Sequence, residues 1–144
     1  MTVVLDTNAL VQMFGQASPH APLKRALIEG RLTLAVSTPM LLEYEEVICR
    51  LAGRARWEDV ARMFTLISLL HGTIREVAPA YRFRSITADA DDDAFADCAL
   101  TAHADYLITE DQHFKVLRGS GYAVQPVTPA EFIRRHLTGA ATPK

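Results

Sequence analysis

Cysteine is scarce in this chain. Cys49 and Cys98 are the only two, both in apolar surroundings and without Cys-x-x-Cys spacing, which excludes a disulfide framework and a zinc knuckle. Long apolar runs are also missing. No stretch approaches the roughly eighteen residues that read as a membrane helix. The opening apolar run Val3-Val4-Leu5 has no basic segment before it and is broken by Asp6, so a signal peptide is not expected. Neither sign of charge dominates: 15 Lys plus Arg against 17 Asp plus Glu leave a net −2, which argues against nucleic-acid binding by bulk charge. Lysine itself is rare, 3 against 12 arginines. Arginine is the better fork for phosphate and the better stacker on bases, so local RNA or DNA contact stays open. The five histidines, His20, His71, His103, His113 and His136, lack metal-ligand spacing. Gly119-Ser120-Gly121 is a turn without a phosphate-cradling pattern, and no nucleophile elbow occurs. These absences describe a reduced, soluble, cytoplasmic protein with no membrane partner.

What is present is one ordinary globular domain. The chain has 144 residues, 49% of them hydrophobic and 22% charged, enough for one good core and too few for two. The expected extent is a single domain over 1–137 with a tail over 138–144. Short β-rich apolar runs predict strands at 2–5, 32–36, 73–77, 106–109 and 122–125. Amphipathic stretches and their stop signals predict helices at 19–29, 40–51 and 57–70, a helix opening in the 89–93 acidic run and reaching about 104, and helices at 111–117 and 129–136. Ser37-Thr38-Pro39 supplies a capping hydroxyl and then a first-turn proline for the second of these. Alternating strands and helices predict an α/β fold, a three-layer α/β/α sandwich around a mostly parallel five-stranded sheet.

Acids recur where such a sheet binds ligands, outside the carboxyl ends of its strands. Asp6 ends the first strand, Asp111 stands just past the fourth, Glu43 is on the helix after the second, and Asp92 opens the helix leading into the fourth. An Asp before a helix commonly serves as an N-cap, which is the simpler reading of Asp92 and Asp111. Asp6 directly follows a buried strand and precedes Thr7 and Asn8, which can lock its geometry. Two unit charges about 5 Å apart at an effective dielectric of 20 repel by roughly 3 kcal/mol. Several carboxylates in one pocket therefore protonate or hold a cation. All-oxygen donors favour Mg²⁺ or Mn²⁺ over zinc, and such a site suits phosphodiester cleavage.

Three segments carry a resemblance to a known family. Val3-Val4-Leu5-Asp6-Thr7-Asn8-Ala9-Leu10-Val11 resembles the opening of PIN-domain ribonucleases. Ser37-Thr38-Pro39 with Leu41-Leu42-Glu43 and Val47 resembles their middle signature. Asp89 through Leu100 followed by Ala104 through Asp111 resembles the next. The order matches and the segments span nearly the whole chain, with VapC-like toxins of prokaryotic toxin–antitoxin pairs as the nearest group. The resemblance implies a sheet of order 3-2-1-4-5 and an acidic pocket for Mg²⁺ or Mn²⁺. It implies Asp6, Glu43, Asp92 and Asp111 as metal-binding and catalytic acids, with Asp91 and Asp93 as neighbours that leave the third position open by one residue. Thr7, Asn8 and Ser37 would orient ligands or phosphate, and Asp97 would lie behind the ligands or on a second metal.

The implied activity is metal-dependent endoribonuclease, acting as a toxin on an RNA substrate, inhibited by a cognate antitoxin and forming a homodimer. Arg82 and Arg84, and the group Arg50, Arg54, Arg56 and Arg62, are candidates for RNA phosphates, against a reading of solvated or ion-paired helix faces. The helical pair over 40–70, with Leu51, Trp57, Val60 and Phe64, is a candidate dimer or antitoxin surface, against a reading as core. Two other functions compete. One is a phosphatase or receiver-like domain using a strand-end Asp as phosphoryl acceptor, although Asp6-Thr7-Asn8 lacks a second acid two residues on. The other is a PIN-fold RNA- or protein-binding module without activity.

Overall fold

The computed structural model describes residues 1–14, 18–79, 90–117 and 123–138, with side chains at 90–93, 113, 115 and 116 outside that description. Arg82 and Arg84 lie outside the described residues. Five parallel strands form one sheet in the order β3-β2-β1-β4-β5: β1 (Thr2–Leu5), β2 (Thr33–Val36), β3 (Ile74–Glu76), β4 (Tyr106–Ile108) and β5 (Gln125–Val127). Among the described residues every strand pair is parallel. The chain starts in the middle of the sheet, builds outward through β2 to β3, then crosses back to β4 and continues to β5. Right-handed crossovers in opposite directions put helices on opposite faces of the sheet, the expected layered α/β arrangement. The reversal point lies between β1 and β4.

Local chemistry explains most boundaries. β1 sits at the centre and is buried along Val3, Val4 and Leu5, as a strand covered on both faces must be. Helix α1 (Thr7–Met13) turns Thr7, Ala9, Leu10 and Met13 inward. No helix is predicted there from the sequence, because seven residues hold too little of a 3.6-residue period to register. Helix α2 (Ala21–Ile28) carries Pro22 in its first turn. Helix α3 (Thr38–Ala52) starts two residues before the expected 40 but with the expected cap: the Ser37 hydroxyl accepts from the Met40 N–H at 3.4 Å, and Pro39 occupies the first turn. Helix α4 (Arg54–His71) starts three residues before the expected 57, directly after the Gly53 that separates it from α3. Helix α5 is Ala90–Thr101, a 3-10 helix spans Gln112–Leu117, and α6 is Pro129–His136.

The fifth strand is a correction. It is expected over 122–125 but runs Gln125–Val127. Pro126 argues against a strand interior, yet β5 is the sheet edge, where no second ladder needs its missing N–H. The opposite edge, β3, is three residues long and exposes Arg75 and Glu76, a short charged edge that resists pairing with another chain.

The helical pair is also corrected in part. Val60 and Phe64 belong to the core, Trp57 is half-buried against it, and Leu51 is 62% exposed. The larger exposed apolar side chains of α4 lie further along, at Leu66, Leu69 and Leu70. No described helix is long and apolar enough to cross a membrane.

Candidate functional site at the carboxyl rim

Parallel pairing sets the site. The β1–β4 register aligns Leu5 with Ile108, which places the next residues, Asp6 and Thr109, side by side where strand order reverses. The Asp6 N–H donates to the Ile108 carbonyl at 3.0 Å, continuing the ladder one step. Asp6 then occupies the N-cap position of α1, but its side chain makes no cap hydrogen bond. It accepts instead from the Thr109 hydroxyl, Oγ1 to Oδ2 at 2.7 Å, with Asp6 6% exposed and Thr109 4%. The same Thr109 oxygen accepts from the Asp111 N–H at 2.9 Å. One hydroxyl thus joins the two predicted acids at the reversal point.

A buried polar layer lies against this rim. Tyr44 on α3 is fully buried, and its hydroxyl donates to the Leu5 carbonyl at 2.5 Å. Burial pushes the Tyr44 phenol well above its ordinary value, with Cys98 and then Asp6 adding to the rise, so it stays a donor. Cys98 on α5 is hydrogen-bonded to the Ser37 side chain, and burial pushes its thiol up to about 12. That hydrogen bond and the Arg75 charge pull the thiol down, and the Asp97 charge adds to the rise. Asp97 is itself buried. Asp6, Tyr44, Cys98, Ser37 and Asp97 are therefore electrostatic neighbours although they come from three separate stretches of the chain.

The remaining predicted residues are placed less tightly. Glu43 is half-buried on α3, next in sequence to Tyr44. Asp111 is half-buried immediately before the 3-10 helix. Thr7 is buried, and its hydroxyl has no hydrogen-bond partner among the described residues. Asn8 is exposed on α1. Asp92 lies in the first turn of α5, and its side chain, like those of Asp91 and Asp93, is outside the described residues. Among the described residues no three His, Cys, Asp or Glu side chains gather into a metal cage.

Sequence reading missed Thr109, Tyr44 and Cys98. A threonine closing a strand and a tyrosine on a helix look like ordinary propensity and core, and only the pairing of distant segments assigns them here.

The arginines of the helical pair divide. Arg50 pairs with Glu46, Arg54 with Glu45 and Arg62 with Asp59, the ion-paired reading set against RNA contact. Arg56 lines a groove with Val11, Phe14, Ile48, Leu51 and Val60. A second groove of about 340 Å³ runs between α3, α4 and the ends of β2 and β3, lined by Leu41, Trp57, Phe64 and Leu69.

A family model described as PIN domain matches residues 2–113. No curated protein matches the sequence. Several solved structures match, two of which illustrate the shared fold. VapBC2 from Rickettsia felis, bound to a DNA fragment from their promoter, aligns with a TM-score of 0.57 at 15% identity, covering 88% of this chain and 98% of that one. The T. brucei RRP44 PIN domain aligns with a TM-score of 0.52 at 13% identity, covering 96% of this chain and 82% of that one. At such identities the neighbours speak for fold alone. The family match covers more than three-quarters of the sequence and includes every strand that builds the rim except β5, so the chain belongs to the PIN domain family.

Proposed function

We propose that this chain is a divalent-metal-dependent endoribonuclease that acts as the toxin of a toxin–antitoxin pair. The observation that carries the reading is Asp6. A buried carboxylate stands at an N-cap position without capping, tied through Thr109 to the Asp111 backbone at the reversal point of the sheet. A structural aspartate at that position would accept from its own helix. Desolvating a carboxylate is costly unless cations or hydrogen bonds compensate, and the donors here are hard oxygens that suit Mg²⁺ or Mn²⁺.

Asp6, Asp92 and Asp111 would hold the ion, with Glu43 a fourth ligand or the base. Asp97 would act from the buried layer behind them. The ion, when bound, supplies positive charge that neutralises the scissile phosphate and makes water a better nucleophile. Glu43, half-buried on α3, would as the base take the proton from the attacking water. Thr109, Thr7 and Ser37 would keep their neighbours oriented, and Asn8 would orient a ligand or the phosphate. Arg82 and Arg84, between β3 and α5, contact the RNA backbone. A cognate antitoxin and a second copy of the chain are the proposed protein partners, consistent with the likeness in fold to VapBC2 and with the exposed leucines of α4.

The receiver-like form of the phosphoryl-acceptor alternative is not favoured. The receiver-like sheet has order 2-1-3-4-5, whereas this one is 3-2-1-4-5. The non-catalytic alternative is separated by experiment. The purified 144-residue chain with Mn²⁺ or Mg²⁺ is expected to cleave RNA and to stop on chelation. Asp6→Asn is expected to lose on the order of a hundredfold or more of the rate with unchanged circular dichroism. An undiminished rate in that variant rejects the assignment.

A further inference from the structure

The Leu5–Asp6 peptide is held at both of its polar ends by different elements. Its N–H donates to the Ile108 carbonyl of β4 at 3.0 Å. Its carbonyl accepts from the Tyr44 hydroxyl of α3 at 2.5 Å. The β1–β2 register is Thr2 with Thr33 and Val3 with Leu34, so Leu5 lies beyond the last registered pair on that side. A helix side chain, rather than the neighbouring strand, holds the carbonyl there. The plane of this peptide sets the direction of the Asp6 Cα–Cβ bond, and Thr109 then holds the carboxylate.

The Tyr44 ring is fixed as firmly as its hydroxyl. It packs against Phe64 of α4 with centroids 6.3 Å apart and against Phe95 of α5 at 5.9 Å. Tyr44 follows Glu43 directly in the chain, and Phe95 lies one helical turn after Asp92. One side chain therefore ties the strand that ends in Asp6 to the two helices that carry Glu43 and Asp92. We infer that Tyr44 is a positioning residue of the acidic site, its hydroxyl setting the Leu5–Asp6 peptide and its ring setting α3 against α5. The metal part of this inference rests on the proposed nuclease reading; the part about the peptide does not.

Tyr44→Phe tests it, because phenylalanine keeps the ring contacts and removes only the donor. Mn²⁺ binding by calorimetry is expected to weaken by about 10- to 100-fold, the usual effect of losing a group behind a metal ligand. The kcat for RNA cleavage is expected to fall while KM stays within about twofold, since no RNA contact is touched. In the metal-free protein, hydrogen exchange should accelerate at the Asp6 amide and at the Leu10 amide, which donates to the Asp6 carbonyl. The Leu34 amide, donating to Thr73 on the far side of β2, should exchange as before.

Unchanged exchange at Asp6 overturns the inference, as does a uniform rise across the sheet or failure of the variant to fold, either of which makes Tyr44 only a core residue. Unchanged Mn²⁺ affinity with accelerated exchange at Asp6 overturns the link to the site. If the wild-type chain itself binds no Mn²⁺, the nuclease reading fails, and the positioning of Asp6 is decided by exchange alone.

Discussion

A threonine hydroxyl has one proton to give and lone pairs to receive, and Thr109 uses both, giving to Asp6 Oδ2 and receiving from the Asp111 N–H. Thr109→Val keeps the β-branched shape and removes both bonds. The buried Asp6 oxygen and the half-buried Asp111 amide then each lose a partner, so stability is expected to fall by about 1–3 kcal/mol in urea titration. Mn²⁺ affinity is expected to fall with it, by about tenfold or more. Thr109→Ser retains the hydroxyl and is expected to recover most of the affinity. If valine and serine bind the ion equally, the hydroxyl has no part in orienting Asp6. Asp6 was legible in the sequence because an acid directly after a buried apolar run is unusual. Thr109 was not, since its meaning lies in a partner 103 residues away.

Elements were legible wherever a cap, a proline or a sustained period marked them. Ser37-Thr38-Pro39 announces α3, and Thr128 with Pro129 announces α6, where the Thr128 hydroxyl accepts from the Glu131 N–H. Short elements escaped, α1 because it is barely two turns and β5 because Pro126 disguises it. Contacts between elements leave no local mark at all. The C-terminal end of α2 is an example. Gly30 takes φ +73°, a left-handed conformation, and the His71 ring from the end of α4 lies over it, with its Nε2 hydrogen-bonded to the Ile28 carbonyl at 2.9 Å. A Cβ on residue 30 would stand 2.5 Å from His71 Cγ. Gly30→Ala therefore meets a strained backbone and displaces the imidazole. It is expected to cost about 1–3 kcal/mol in denaturant titration. His71→Ala should cost less, because it removes the carbonyl partner without straining the turn. A neutral Gly30→Ala would mean that the α2–α4 junction is looser than drawn.

At the scale of the whole molecule, a likeness in fold to VapBC2 persists at 15% identity because a parallel sheet asks only for apolar runs in the right sequence of crossovers. Asp6, Thr109 and Asp111 come from distant segments that this order brings together, a juxtaposition that no single motif spells out. The same convergence that builds the rim leaves ionisable groups in the core, and these set an alkaline limit on stability. Burial raises the Cys98 thiol to about 12 from an ordinary 9.0, and the Tyr44 phenol well above 10.0. Below pH 9 both groups are protonated in the folded and unfolded chains, and their contribution to stability is fully present. As pH rises past 9 the unfolded chain releases the thiol proton first. Stability then falls by about 1.4 kcal/mol per pH unit until the folded thiol titrates as well, with a ceiling of roughly 4 kcal/mol. Tyr44 adds to the loss above pH 10. Total stabilities run about 5–15 kcal/mol, so the protein should be markedly weaker at pH 10.5 than at pH 8. Urea midpoints measured at half-unit intervals from pH 8 to 10.5 test this, with Cys98→Ala as the comparison. The variant is expected to start lower, through its lost packing, and to fall less steeply between pH 9 and 10. Equal slopes in that window would show that the thiol titrates in the folded chain much as it does in the unfolded one.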